Sequence, residues 1–462
     1  MLAVEKVKNQ NDFAFFMEMG TGKTLSTITT LRYKFAEHKK ILKTLILCPP
    51  IVIDNWQREF SIFSKIESRD IIPLKGPGKK RVETLKKYFG DKIFITNYES
   101  LLMEDLFNLL LEWGPEVLIL DESHKCKDFR SKRTKQLLRM SPKTKYRYIL
   151  TGTPILNSPM DLFSQFKILD NGETFGGNFF AFRSKYFYDK NSGMPKQKYF
   201  PDWRPIPDAI NTMYSLMAPK SMHVKKQDCL DLPPLVTQDV FIELSKDQQA
   251  AYEDMKKDFI AYMGSKASVA TIALTKGLRL MQIVSGFISV GEDSESRENL
   301  KFSDNPRAEA LKELLAEITP NSKVLVWAVF KENYQTIRDV CNSLGVNFVE
   351  VHGDISAAKK QENVKTFNED PKCRVFLGHP GSGGIGINMV IASYSIFYSR
   401  NFSLEQDLQA EARNHRGGSE IHAKVTRINL IAKGTIDEIV ADALKNKVQI
   451  GENILNKIAM EV

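Results

Sequence analysis

The sequence is poor in the residues that build stapled or metal-held folds. Its 462 residues include five cysteines, Cys48, Cys126, Cys229, Cys341 and Cys373, so scattered that no two share metal-ligand spacing. That argues against a disulfide framework or a zinc site and fits a reducing compartment. Histidine is sparse as well: His352, His379, His415 and His422 fall in different elements at no ligand spacing and read as structural or surface residues. No stretch approaches the roughly 20 apolar residues of a spanning helix. The opening MLAVEKVKNQ lacks a signal-peptide apolar core. The expectation is a cytoplasmic protein with no membrane partner. No nuclease, deaminase or protease constellation is present. What is in surplus is positive charge, +9 in net, which favours a polyanionic partner. With 42% hydrophobic and 26% charged residues the chain reads as globular, and its length as two or three domains.

Short apolar runs punctuate the first third: FAFFM, ILKTLILC, KIFIT, EVLIL and RYIL. They are too short for helices and uniformly apolar, as parallel strands covered on both faces are. Amphipathic stretches between them, such as Leu25–His38 and Lys132–Met140, supply crossover helices, which gives a doubly wound α/β domain. From about 156 to 234 the rhythm breaks into an aromatic and basic stretch that ends at the domain punctuation Asp231-Leu232-Pro233-Pro234. A helical stretch is expected from Lys246 to about Phe287, then a solvated linker, GEDSESRENLKFSDNP. The alternation then resumes with KVLVWAV, VNFVEV, CRVFLG, YSIFYS and VTRINLI, a second α/β domain closed by a helix from about Ile436 to Lys457.

Three motifs carry chemistry. Glu18-Met19-Gly20-Thr21-Gly22-Lys23-Thr24 follows the strand FAFFM and opens a helix. Glycines let backbone N–H groups curl around phosphate at a helix N-terminus. Lys23 then reaches the β/γ-phosphates, and the Thr24 hydroxyl ligates Mg2+. Met17 stands where the full P-loop pattern has glycine. Second, Val117-Leu118-Ile119-Leu120-Asp121-Glu122 ends an apolar strand in two carboxylates, Asp121 for Mg2+ and Glu122 to polarise the attacking water. Third, the spacing of Gln409, Arg413 and Arg416 predicts one helix face that offers guanidinium groups to a γ-phosphate; a salt-bridged helix face is the plainer alternative.

In this order, and with Thr151-Gly152-Thr153-Pro154, these segments resemble motifs I, II, III and VI of superfamily 2 helicase-like motors. The wording EMGTGKT, DESHKCKD, LTGTPILNSP and QAEARNHRGG is similar to the Snf2 (SWI2/SNF2) group, as are ILCPPIVIDNWQREF, ITNYES, KVLVWAVF, GSGGIGINM and KGTIDEIV. The shortness resembles a compact prokaryotic or phage member. The resemblance implies two RecA-like lobes: 1–234, with a helical insertion at about 156–234, and 235–462, with one at about 245–305. It implies ATP and Mg2+ as cofactors, bound between the lobes by Gly20, Thr21, Gly22, Lys23, Thr24, Asp121 and Glu122 on one wall and Arg413 and Arg416 on the other. Gln409 and Gly386 touch nucleotide on this reading, with Gly384 and Asn388 near both nucleotide and DNA. His124, Thr151 and Thr153 couple hydrolysis to lobe movement. DNA is the implied partner, gripped independently of sequence by Asn55, Trp56, Thr96 and Asn97.

The basic run after motif II, with Lys127, Arg130 and Lys132, reads as a phosphate-contacting edge rather than a solvated helix. The aromatics of Phe179–Trp203 read mainly as the insertion's own core, with base stacking as the alternative. The expected function is an ATP-driven translocase, working as a monomer, that remodels branched or duplex DNA by fork regression or branch migration. A strand-separating DNA or RNA helicase is the second reading, and a nucleotide-gated DNA-binding scaffold the third. Some of the group's features are missing: Met1 sits about where an adenine-recognising glutamine motif ends, and Gly417-Gly418-Ser419 replaces Gly-Gln after motif VI.

Overall fold

A computed structural model describes residues 2–194, 201–263, 269–290, 298–382 and 388–459. The chain divides into two compact units, one built mainly from Met1–Leu230, the other from Asp231–Gly383 and Ile387–Asn446.

In the first unit the apolar runs become β1 (Asp12–Met17), β2 (Thr44–Leu47), β3 (Ile71–Pro73), β4 (Ile93–Thr96), β5 (Val117–Asp121) and β6 (Tyr146–Thr151). A small antiparallel pair follows, β7 (Phe187–Asp189) with β8 (Trp203–Pro205), and then β9 (Ser221–Val224). The main sheet runs β3-β4-β2-β5-β6-β1-β9, all pairs parallel. Its side chains alternate between two cores: Ala14 and Phe16 join Leu118 and Leu120 on one face, while Phe13, Phe15 and Met17 join Val117 and Ile119 on the other. Period-two alternation with both faces apolar is what a sheet covered on both sides requires. The Lys132–Met140 helix has the expected bounds and is capped by Ser131, whose Oγ accepts from the Thr134 amide.

The aromatic stretch is not confined to an appendage. Phe163, Phe166, Phe175, Phe182, Tyr186 and Phe187 pack into the sheet's own core, and the segment returns to the sheet as β9, beside β1. The strand was hidden because SMHV is short and its pairing partner lies about two hundred residues earlier, where no local pattern can point to it.

The second unit contains β10 (Leu235–Ile242), the antiparallel pair β11 (Phe287–Val290) and β12 (Glu298–Lys301), and β13 (Val324–Trp327), β14 (Asn347–Val351), β15 (Cys373–Gly378), β16 (Tyr394–Phe397) and β17 (Val425–Ala432). Its parallel sheet runs β10-β17-β16-β13-β15-β14. The stretch expected to be helical from Lys246 to about Phe287 contains the helices Lys246–Met263 and Val269–Val284, and Phe287 opens a strand. The polar linker contributes β12, whose backbone pairs with β11 although every side chain in it is exposed. Both units are α/β, with parallel sheets and helical insertions. Among the described residues, no helix is long and apolar enough to cross a membrane.

Candidate nucleotide site

The strand order β5-β6-β1 decides where the chemistry collects. Parallel neighbours end at the same sheet edge, so the residues that follow β1, β5 and β6 meet there, the usual place for a ligand in an open α/β sheet. Register puts Phe16 of β1 opposite Thr151 of β6, and Asp121 of β5 opposite Leu150.

After β1 the backbone turns through Gly20 (φ 88°) and Gly22 (φ 90°), left-handed values at which a side chain is strained. Gly22 caps the Lys23–His38 helix with no side-chain acceptor, so the first-turn N–H groups are left for an anion. Lys23 Nζ donates to the carbonyls of Met17 (2.8 Å) and Glu18 (3.2 Å), which hold the ammonium over its own loop. The loop is clamped from the chain's later segment: the Glu18 amide donates to Val224 O at 3.0 Å, and the Lys226 amide to Glu18 Oε2 at 2.9 Å. Gly152 closes the third side. A Cβ there would lie 3.1 Å from both Glu18 Cα and Met17 O, so glycine is what lets the β6 end pass beneath the P-loop.

Asp121 is buried at the end of β5, with Oδ2 accepting from the Trp56 indole Nε1 (2.9 Å) and its carbonyl accepting from the Tyr98 hydroxyl (2.8 Å). Burial first, then the neighbouring Glu122 carboxylate, push the Asp121 carboxyl up to about 6, against the Trp56 bond and Lys23. A positive charge placed beside the two carboxylates would favour their ionised forms. Glu122 itself holds a left-handed backbone (φ 56°, ψ 55°), a strained state for a non-glycine residue that places its side chain out of the strand's line. Its Oε2 accepts from Thr151 Oγ1 at 3.3 Å and lies 3.3 Å from His124 Nδ1, which is 3.0 Å from Thr151 Oγ1; Thr151 Oγ1 also accepts from the Thr153 amide at 3.1 Å. A further bridge runs from Ser123 Oγ to Gln165 Oε1 (2.7 Å) and from Gln165 Nε2 to Pro154 O (2.7 Å). The ends of β5 and β6 are thus wired together. Tyr98 and Gln165, which bond to Asp121 and across Ser123 to Pro154, are residues that sequence reasoning missed, and Trp56 was expected at DNA rather than on Asp121; no motif spacing encodes a side chain's direction.

These residues fit a magnesium nucleotide. The loop N–H groups and Lys23 suit phosphate, and Thr24 with the Asp121 carboxylate suits the metal.

The residues expected to meet nucleic acid differ widely in exposure. Trp56 is fully buried and its only polar atom is taken by Asp121. Thr96 is fully buried, bonded to Leu74 O (3.1 Å) and Ser100 Oγ (2.6 Å). Asn97 is buried, with Oδ1 accepting from Arg81 at 2.6 Å and Nδ2 donating to Glu99 at 2.9 Å. These side chains are bonded within the sheet edge. Asn55 is half-buried and accepts from Arg58 Nη2 at 3.0 Å. Lys127 lies 3.8 Å from Asp161, whereas Arg130 and Lys132 are exposed.

In the second unit the Leu404–Glu411 helix carries Gln409, whose Nε2 donates to Glu405 at 3.3 Å. The helix stops at Glu411, so Arg413 and Arg416 lie in the turns beyond it and share no helix face with Gln409. The Arg413 amide bonds to Ala410 O (3.2 Å), and its carbonyl accepts from Met389 N (3.0 Å), which sets the turn. Arg413 is buried; Arg416 is half-buried, and burial pulls its pKa below the ordinary arginine value. Beneath the helix, Arg427 binds Asp407 (2.9 Å) and Glu411 (2.8 Å) with its guanidinium over the Phe397 ring (4.1 Å). Asn388 is exposed, with its carbonyl bonded to Asn368 Nδ2 at 3.2 Å. Gly384 and Gly386 lie outside the described residues.

Against known proteins, residues 3–286 match the SNF2-related domain and residues 306–418 the helicase conserved C-terminal domain. Protein p41 of Acyrthosiphon pisum secondary endosymbiont phage 1 is 27% identical over 95% of this chain and 93% of its own length. Longer relatives include TATA-binding protein-associated factor BTAF1 of Arabidopsis thaliana, 26% identical over 95% of this chain, and mouse chromodomain-helicase-DNA-binding protein 1-like, 27% identical over 96%. This chain spans only 24% and 48% of those two. The Sulfolobus solfataricus SWI2/SNF2 ATPase core, solved in complex with dsDNA, aligns over 99% of this chain and 94% of its own at 23% identity, with a TM-score of 0.44. The SNF2-related match spans well over half the sequence and agrees with the P-loop, carboxylate pair and parallel-sheet units described above: the chain is a member of the SNF2-related family of superfamily 2 helicase-type ATPases.

Proposed function

We propose that this ATPase is a DNA translocase that moves on double-stranded DNA and remodels branched DNA by fork regression or branch migration. The observation that carries the proposal is the bonded link Glu122–Thr151–His124, which joins the residue assigned to water activation to the end of β6. A site that only held nucleotide would have no use for such a link, whereas a motor must report hydrolysis to its backbone. Lys23, Thr24 and the loop Gly20-Thr21-Gly22 bind phosphate and metal, Asp121 holds the metal, and Glu122 takes the proton of the attacking water. Magnesium neutralises the charge that develops on the phosphates. Gln409 contacts nucleotide, and Arg413 and Arg416 supply guanidinium groups to the transferring phosphoryl group; Thr153 joins the coupling set. Arg130 and Lys132, exposed in the segment after Glu122, contact DNA phosphates, in keeping with the net charge of +9. The curated relatives whose printed names carry helicase and DNA-binding support the substrate class.

The test is ATP hydrolysis measured alone and with single-stranded, duplex, forked and four-way-junction DNA and with RNA, with Lys23→Ala as the blank. Stimulation by duplex or branched DNA, lost in the variant, is the expected outcome. Stimulation by single strands or RNA alone replaces translocation on duplex with strand separation, and no stimulation by any of them removes the motor reading.

A further inference from the structure

A guanidinium without a carboxylate stands among rings in the first unit. Arg183 lies on the Phe179–Tyr186 helix, 3.9 Å from the Trp203 ring centroid, 5.3 Å from Phe180 and 5.8 Å from Phe179. Among the described residues it has no ion pair, and its Nε has no hydrogen-bond acceptor. Phe129, seven residues after Glu122, stacks on Phe179 with centroids 4.1 Å apart and planes at 21°, and Arg130 extends the array at 5.9 Å over Phe129. Phe129, Phe179 and Trp203 are half-buried and pack against the core from outside, whereas Phe180 is 57% exposed beside Arg183.

Packing accounts for Phe129, Phe179 and Trp203 but not for Phe180, whose open ring stands beside a guanidinium with its Nε buried and without an acceptor. A phosphate alone would use the arginines but not the rings. A ligand with alternating anionic and flat aromatic groups uses both, and that is the chemistry of an unpaired polynucleotide strand, with bases on the rings and phosphates on the guanidinium groups. Intact duplex hides its base faces. We infer that Phe180, beside Arg183 and supported from below by Phe129, Phe179 and Trp203, forms a stacking point for single-stranded DNA that flanks the duplex on which the motor works. The inference rests on the proposed DNA translocase reading and adds a strand to it. Phe129 shares its segment with the Asp121-Glu122 strand end, so the stacking point is anchored to the nucleotide site's own loop.

The experiment is an anisotropy titration of the full chain with two labelled DNAs of equal duplex length, one blunt and one carrying an unpaired arm, for wild type, Phe180→Ala and Phe180→Trp. Loss of one stacked base predicts that Phe180→Ala weakens binding of the armed DNA by roughly five- to tenfold, that blunt duplex binding stays within about twofold, and that Phe180→Trp restores the armed DNA. Equal loss on both DNAs, or no loss on either, overturns the stacking point. Wild type that binds blunt duplex but gains nothing from the arm overturns the stacking point and leaves the translocase reading standing. Wild type that binds neither DNA overturns both.

Discussion

Asp121 is held between opposing influences: burial and Glu122 disfavour its charge, while the Trp56 indole donates to one oxygen and keeps the carboxylate turned one way. Removing that donor frees the carboxylate to rotate. Trp56→Phe is expected to raise the Mg2+ concentration needed for half-maximal ATP hydrolysis by roughly tenfold, the usual scale for an outer partner of a metal ligand. A magnesium titration of hydrolysis, paired with magnesium-dependent nucleotide binding, checks this; an unchanged requirement removes Trp56 from the site. Glu122→Gln keeps shape and hydrogen bonding but cannot take a proton. Hydrolysis should fall by about 10²–10⁴ while nucleotide binding persists, read by single-turnover kinetics and a binding titration. Gly152 acts by what it lacks: Gly152→Ala drives a methyl against Met17 O and Glu18 Cα and displaces the P-loop. An increase in KM for ATP on the order of tenfold with little change in thermal stability is expected, since small misplacements of a phosphate cradle are costly.

Among elements, the Phe179–Tyr186 helix is divided by depth rather than by sequence. Phe182 contacts Phe163, Phe175, Tyr186 and Phe187 in the core, while Phe180 two residues earlier faces water. Phe182→Ala should cost about 3–5 kcal/mol in chemical denaturation, the range for emptying a buried aromatic site. Phe180→Ala should stay within about 0.5 kcal/mol, as exposed substitutions do. Similar stabilities for the two would show that the helix does not keep this face inward. The central strands were legible because FAFFM, EVLIL and CRVFLG are apolar without a break. Three outer strands were not. IIP and SMHV are too short to show a period, and LVTQDVFI is largely exposed along its length. Edge strands take their identity from a neighbour's backbone, and a single segment cannot display that. The turn that carries Arg413 and Arg416 was misread as helix for the complementary reason: their spacing suits a helix, but the chain breaks at Glu411, where Arg427 holds the final carboxylate.

Over the whole molecule, 65 basic against 56 acidic residues give a surplus that acts at long range on a polyanion. The affinity for blunt duplex should therefore fall by orders of magnitude, about 10² or more, as salt rises from about 50 to about 200 mM, because each neutralised phosphate releases counterions. A log–log plot of affinity against salt checks this, and a flat plot would place the excess charge away from the DNA face. The sequence by itself determined the family, the alternation of strand and helix in both units, and the chemical identity of Lys23, Thr24, Asp121 and Glu122, since each of these is written in local order and residue type. Tertiary structure decided which side chains are spent inside. Trp56, Thr96 and Asn97 stand in motif positions expected to meet DNA, yet the parallel order β4-β2-β5 turns them toward Asp121, Leu74 and Arg81. Burial is a property of neighbours, and neighbours across a sheet come from distant parts of the chain.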